Sequence, residues 1–146
     1  MKKTIILAIS ALSLVSLAWA AETMWIQRTD NMKLGLPLEI ADSVSISQDG
    51  ANVIFTATNG VVKTMPNSEV EKVTIGTASS IVEINYNGTD VEIVNPFAFE
   101  GVTVTKTGAD VVVTSTSLNE LSYKLTGTTT SGSFKIYSDT KFILDP

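Results

Sequence analysis

Three five-residue segments of the chain share one pattern and follow one another at a constant spacing of 29 residues. In each segment the first residue is acidic, the third is valine, the fourth carries a hydroxyl group and the fifth is β-branched. The segments are residues 42–46, 71–75 and 100–104. A fixed period in this range is typical of tandem supersecondary units, each too small to bury its own apolar surface. The repeat therefore constrains the architecture of the chain more tightly than its chemistry.

Each repeat is predicted to be a hairpin followed by a short turn and a third strand. Asn-Gly pairs at 59–60 and 87–88 lie between runs rich in β-branched residues, and Asn-Gly favours the positive φ of a tight hairpin turn. An Asp-Asn pair at 30–31 occupies that place in the first unit and also tolerates positive φ. Pro37 and Pro66 end the second strand and are suited to begin one helical turn.

The sequence thus predicts an all-β fold in which three-stranded modules of 29-residue period occupy residues 21–116. Stacking the modules would align two rows of apolar side chains into one continuous core. The first row is Ile26, Phe55 and Ile84, and the second is Val44, Val73 and Val102.

Residues 1–20 have the organisation of a secretory signal peptide. A Lys-Lys start precedes an apolar run, and small residues at Ala18 and Ala20 suit cleavage after position 20. We therefore expect a secreted, periplasmic or cell-surface protein with no membrane span after cleavage.

Composition excludes several classes of function. Lys2 and Lys3 are the only charges in residues 1–20, so the 10 basic residues fall to 8 against 15 acidic ones, a net charge of −7 after cleavage. Such a chain repels phosphate backbones, and we expect no nucleic-acid partner. The sequence contains no histidine and no cysteine, which excludes Ser-His-Asp and Cys-His catalysis.

The tail, residues 117–146, has a different rhythm. Short strands recur roughly every ten residues with Gly, Ser and Asp between them, which fits either a meander or the first rungs of a β-solenoid. A final strand at 142–145 would leave an open sheet edge. We expect that edge to pair with another chain or with a C-terminal region that is missing from this sequence.

Two family resemblances follow from these segments. Residues 24–46 resemble a short N-terminal module of secreted bacterial surface proteins, with a strand, a turn and a Val-Ser-Ile strand. Residues 121–128, 132–137 and 141–145 resemble the opening rungs of the bacterial carbohydrate-binding parallel β-helix family. The second resemblance implies a secreted polysaccharide-binding protein, of which this chain is the N-terminal portion. It also implies calcium within later rungs, whereas this chain itself is expected to hold no metal and no cofactor.

Candidate ligand-binding residues are two tyrosines of the tail. Tyr123 and Tyr137 alternate with lysines, and an exposed ring could stack on the apolar face of a sugar. The alternative is that both tyrosines pack within the sheet or protect its edge. Paired carboxylates such as Asp90 and Glu92 fit solvated strand faces better than a catalytic pair, so no catalytic residue is expected.

Two functions remain open at this point. The first is a secreted, non-enzymatic polysaccharide-binding protein. The second is a structural or adhesive surface module that acts through its sheet edges without a sugar site.

Overall fold

The computed structural model describes residues 21–146, and the signal peptide predicted for residues 1–20 lies outside that range. The described chain is all-β, as predicted, with 13 strands and two short 3₁₀ turns at Leu38–Ile40 and Asn67–Glu69. The strands are β1 (Glu22–Arg28), β2 (Met32–Pro37), β3 (Ala41–Ile46), β4 (Asn52–Ala57), β5 (Val62–Pro66), β6 (Val70–Thr77), β7 (Ile81–Gly88), β8 (Asp90–Asn95), β9 (Val102–Thr107), β10 (Asp110–Ser115), β11 (Leu121–Thr129), β12 (Ser133–Ser138) and β13 (Phe142–Asp145).

Three open sheets share these strands. The large sheet has the order β13-β11-β7-β8-β2-β1-β6, and the two small sheets have the orders β3-β4-β5 and β12-β10-β9. Each sheet alternates buried and exposed residues along most strands, as expected for sheets with one covered face. The buried faces of all three sheets meet in one apolar core, so the two small sheets together cover the large one.

The hairpins form where predicted, but the predicted turn geometry is confirmed only in part, because Asn59 and Asn87 do not have positive φ and Asn87 pairs with Asp90 within the ladder. Asn31 has a φ of 64°, the one positive φ among the non-glycine residues of the described chain. Gly60 and Gly88 also have positive φ, at 90° and 68°. The 3₁₀ turns start directly after Pro37 and Pro66, as the proline positions predicted.

The 29-residue repeat is not confirmed as one recurring module, because the third strand of the second unit pairs differently from the third strands of the other two. β3 pairs with β4 of the following unit, β6 pairs back to β1, and β9 pairs with β10. The first predicted core row is fully buried, with Ile26, Phe55 and Ile84 each 0 % exposed.

The second predicted core row is only partly correct. Val102 is buried, but Val44 and Val73 are only partly buried. All three valines lie on edge strands, β3, β6 and β9, but Val102 belongs to the core itself, whereas Val44 and Val73 pack against the core and stay partly exposed.

From residue 117 onwards the pairing becomes parallel. β11 pairs in parallel with β7, β12 with β10, and β13 with β11. Leu121 and Tyr123 of β11 are buried in the same core as Val82 and Ile84, so the first strand of the tail completes the large sheet. A β-solenoid that continues from this parallel pairing remains a prediction.

One glycine shows how closely the parallel strands pack. Gly127 of β11 has a φ of 82°, and a Cβ atom there would collide with the carbonyl oxygen of Tyr86 on β7. Only glycine can both adopt this positive φ and leave out the Cβ atom that would collide with Tyr86.

Candidate functional site

The two tyrosines predicted to bind sugar lie in different environments. Tyr123, on β11, is 0 % exposed, and its ring packs edge-on against Phe142 at a centroid distance of 5.9 Å. Tyr137, on β12, is 63 % exposed. The expectation for Tyr123 is therefore corrected: no sugar can reach a ring buried in the core. Only Tyr137 offers an accessible aromatic surface.

Burial also explains the chemistry of Tyr123. Its hydroxyl group makes no hydrogen bond of good geometry within residues 21–146. Burial raises the pKa of Tyr123, and the nearby Ser115 hydroxyl only partly offsets that rise. The Tyr123 side chain is thus part of the hydrophobic core and is not a ligand-binding residue.

A groove opens where the two small sheets fail to meet. β5 is an edge of one small sheet and β9 is an edge of the other, and both line the same cavity of about 430 Å³. We call this cavity the β5–β9 groove. Its lining residues are Arg28, Asp30, Met32, Leu34, Lys63, Thr64, Met65, Asn95, Ala98, Val102, Thr103, Val104, Thr105 and Lys106.

The strand alternation sets which side chains reach this groove. On β5, Val62 and Thr64 are exposed, whereas Lys63 and Met65 turn toward the large sheet. On β9, Lys106 follows the buried Val102 and Val104 on the inner face. Two lysines therefore occupy positions that an apolar residue would usually take, one on each edge strand that borders the groove.

The third cation of the groove comes from the large sheet. Arg28 ends β1 at a register shift in the β1–β6 ladder, between Gln27 and Arg28. Such a bulge changes the direction of the side chain that follows it. Arg28 donates to both carboxylate oxygens of Asp30, at 3.2 and 2.9 Å, and its Nη2 lies 3.4 Å from Glu69. Its charge is therefore already compensated.

Lys106 is compensated as well. Its Nζ donates to Asp90 at 2.8 Å and to the carbonyl oxygen of Val91 at 2.9 Å. The hydrogen bond from Lys106, helped by the backbone N–H of Val91 and by Asn31, lowers the pKa of Asp90 to about 2. Asp90 therefore stays ionised at neutral pH and cannot serve as a general acid.

Lys63 differs from the other two cations. Among the described residues no carboxylate forms an ion pair with it; its Nζ lies 5.6 Å from the centroid of the buried Phe99 ring. Burial lowers the pKa of Lys63, and the positive charge of Arg28 lowers it further. The groove thus contains one half-buried ammonium group whose charge is met only by an aromatic face.

The uncharged polar residues of the groove divide into two groups. Thr64, Thr103 and Thr105 border the groove and are exposed, on the faces of β5 and β9 opposite to Lys63 and Lys106. Asn95 is buried and already occupied, because its Nδ2 donates to the Val102 carbonyl at 2.9 Å and its Oδ1 accepts from the Phe97 N–H at 3.1 Å. The groove is therefore bordered by exposed threonines and contains one asparagine whose side chain is already fixed by hydrogen bonds.

A second region of interest is the pair of strands that ends the parallel part of the fold. β12 and β13 are edge strands of two different sheets, and we call them together the parallel end. Their exposed apolar side chains are Tyr137, Phe142, Ile143 and Leu144. An edge of this kind presents unpaired backbone donors and acceptors beside apolar surface.

The sequence contained one overlooked signal for the groove. Val-Lys-Thr-Met at 62–65 alternates like a half-buried strand, but its lysine falls on the apolar side. A charge in that position indicates either a protected edge or a binding site.

No protein-family model, no curated protein and no solved structure matches this chain. Within residues 21–146, no helix is long and apolar enough to cross a membrane. The same residues contain no group of three or more acidic side chains placed to hold a metal ion.

Proposed function

We propose that the protein is a secreted, non-enzymatic carbohydrate-binding protein and that the β5–β9 groove holds the sugar. The groove carries this proposal, because its volume of about 430 Å³ falls within the range of small-molecule sites. Threonines border the groove and the Lys63 ammonium group lines it, and both kinds of group can hydrogen-bond to a ligand rich in hydroxyl groups. Export, expected from residues 1–20, would bring such a site into contact with polysaccharide outside the cell.

The carboxylates near the groove favour binding over hydrolysis. Asp30 is held by the guanidinium group of Arg28, and Asp90 is held ionised by Lys106. A glycosidase needs one carboxyl group that keeps its proton at the working pH. The hydrogen bond from Lys106 lowers the pKa of Asp90, which is the opposite of what a general acid needs.

A glycan array probed with residues 21–146 tests the proposal, followed by calorimetry on the sugars retained. Thr64→Trp should block the mouth of the groove and abolish binding. Thr74→Trp is the matched control, since Thr74 is also an exposed strand threonine but does not line the groove. Loss of binding in both variants, or in neither, would contradict the groove as the site.

A second candidate function is favoured by the parallel end. There β12 continues the register of β10, and β13 continues that of β11, so a further parallel strand could be added to each. The resemblance to the parallel β-helix family suggests the same continuation as a β-solenoid. In this proposal the protein is a structural or adhesive module that pairs through β12 and β13 with another chain or with a further C-terminal region.

Sedimentation of residues 21–146 over a range of concentrations tests this second candidate. Association that disappears in Ile143→Lys would support pairing through the parallel end, because a lysine on an edge strand opposes strand addition. A monomer at every concentration would argue against pairing between copies of this chain.

A further inference from the structure

We propose that the β5–β9 groove selects acidic sugars over neutral ones, and that the Lys63 ammonium group binds the sugar carboxylate. This inference rests on the proposed carbohydrate-binding function and adds the ligand class and the residue that recognises it. The ligand expected is a polysaccharide segment that contains uronic acid.

The pairing of the three cations identifies Lys63 as the recognition residue. Arg28 already holds Asp30 through two nitrogen atoms, and Lys106 already holds Asp90. An incoming anion would have to displace a carboxylate from either of them. Lys63 has no such carboxylate among the described residues, so an anion gains the full interaction there.

The environment of Lys63 strengthens that interaction. A half-buried ammonium group has lost part of its hydration, and opposite charges attract more strongly where less water screens them. The Nζ of Lys63 lies 5.6 Å from the centroid of the buried Phe99 ring, and the Lys63 side chain also lines the groove. Binding an anion would also relieve the repulsion between Lys63 and Arg28 that contributes to the lowered pKa of Lys63.

The number of free charges favours a carboxylate over a phosphate or sulfate group. Phosphate groups are typically bound by a bidentate guanidinium or by several backbone N–H groups. The Arg28 guanidinium is occupied by Asp30, which leaves one point-like ammonium charge. One ammonium group in a groove bordered by threonines matches one carboxylate on a ring of hydroxyl groups.

The location of these cations runs against the charge of the whole chain. Residues 21–146 carry 8 basic and 15 acidic side chains, yet three of the basic ones converge on this groove. Asp30 is the only carboxylate among the residues that line it. Because Arg28 and Lys106 are paired with carboxylates, Lys63 is the cation of the groove whose charge remains available to an anion.

The alternative role for Lys63 is protection of an edge strand. An inward-pointing lysine on β5 would oppose pairing of that edge with another chain. That role requires no ligand and predicts that loss of the charge increases self-association. The two roles can be separated by measuring binding and association on the same variants.

The test uses calorimetry of residues 21–146 with a short oligogalacturonate and with its methyl ester, which keeps the sugar but removes the charge. We expect the acid to bind at least about tenfold more tightly than the ester, which corresponds to about 1.4 kcal/mol. Lys63→Gln should abolish that preference. Lys72→Gln is the matched control, because Lys72 is exposed on β6 and does not line the groove.

The outcomes distinguish this inference from the proposed function. Equal binding of acid and ester would overturn the preference for acidic sugars and leave carbohydrate binding intact. Preference for the acid that persists in Lys63→Gln would place the anion site elsewhere and overturn the role of Lys63. If the protein failed to bind oligogalacturonate but still bound neutral glycans on the array, the acidic ligand class would be overturned and the proposed function would stand. Failure with every glycan would overturn the proposed function itself, and self-association of Lys63→Gln without any glycan binding would assign Lys63 to edge protection.

Discussion

The β5–β9 groove and the parallel end are both places where sheet edges are left unpaired, but their side chains differ in kind. The edges at the groove carry inner-face lysines, Lys63 on β5 and Lys106 on β9. The strand that ends the large sheet carries exposed Phe142, Ile143 and Leu144 instead. Inward charges oppose strand addition, whereas apolar edges permit it. The edges at the groove are therefore protected against strand addition, whereas the apolar edge of β13 has no such protection.

The groove and the parallel end also differ in how firmly their strands are attached to the core. The groove is held open by two small sheets that both rest on the large sheet, so its walls are fixed by the core. At the parallel end, β13 has four residues, all of them exposed. Its main link to the core runs through β11, where the Tyr123 ring meets Phe142.

The largest expected effect tests that link. Tyr123→Ala would remove a fully buried ring, and we expect it to lower the free energy of unfolding by about 3–5 kcal/mol. Tyr137→Ala, at the exposed tyrosine of the same tail, should change it by less than about 0.5 kcal/mol. Urea unfolding of both variants measures the contrast. Similar effects at the two positions would mean that the tail is not anchored through Tyr123.

Tyr123→Phe is the control that separates ring from hydroxyl. The Tyr123 hydroxyl makes no hydrogen bond within the described residues, so its removal leaves no partner unsatisfied. We expect stability that is unchanged or slightly higher. A clear loss of stability would show that the hydroxyl is bonded after all.

The next effect concerns the wall of the groove. Asp90→Asn would leave the Lys106 ammonium group, whose side chain is 10 % exposed, without its carboxylate. Because Asp90 itself is half-exposed and screened by water, we expect a loss of about 1 kcal/mol at neutral pH. Thermal unfolding at pH 7 provides the measurement.

The pH dependence of this loss follows from the pKa of Asp90. The folded protein lowers that pKa from 3.8 to about 2, so the stabilisation is complete above the unfolded value of 3.8. It fades as the pH falls from 3.8 through about 2, and it is lost below that pH, where the carboxylate is protonated in both states. The difference between the natural protein and Asp90→Asn should therefore shrink over that interval. A difference that stays constant in acid would contradict the Lys106–Asp90 ion pair.

A smaller effect of opposite sign is expected at Lys63. Burial and Arg28 lower the pKa of Lys63, so its charged form destabilises the folded protein at neutral pH. Lys63→Met would remove that charge and keep the apolar stem, and we expect a gain of about 0.5 kcal/mol. The gain should decline at alkaline pH, as the natural lysine itself loses its proton. A loss of stability at pH 7 would mean that the contact with Phe99 outweighs the cost of burying the charge.

The sequence predicted the local structure of this protein better than its long-range pairing. Asn31, Pro37 and Pro66 act through their own backbone preferences, so the turns could be placed without knowledge of the fold. The return of β6 to β1 depends on contacts between distant segments, which a strand pattern does not encode. How deeply Val44, Val73 and Val102 are buried depends on the same long-range pairing, and a shared position in the repeat does not specify it.

The same limit applies to the candidate site. Tyr123 alternates with lysines, which indicated exposure, but its ring lies on the same face of β11 as the buried Leu121 and contacts Phe142 of β13. Lys63 was visible as a charge on the apolar side of a strand. That β5 and β9 border one groove could not be predicted, because nothing in either segment specifies that the two small sheets stop short of each other.

The smallest effect on stability, and the sharpest test of the comparison, is expected at the end of the chain. Ile143 is 51 % exposed on β13, so Ile143→Lys should change the free energy of unfolding by less than about 0.5 kcal/mol. If the parallel end pairs with another chain, the same change should reduce association, since a lysine on the edge keeps its charge in water only when no strand is added. Val62→Lys makes the equivalent change on β5, where Val62 is 55 % exposed but the edge already carries Lys63. Light scattering on both variants should show an effect of Ile143→Lys alone. If Val62→Lys reduced association as much, the edges at the groove and at the parallel end would be equally open, and the contrast between the two regions would be wrong.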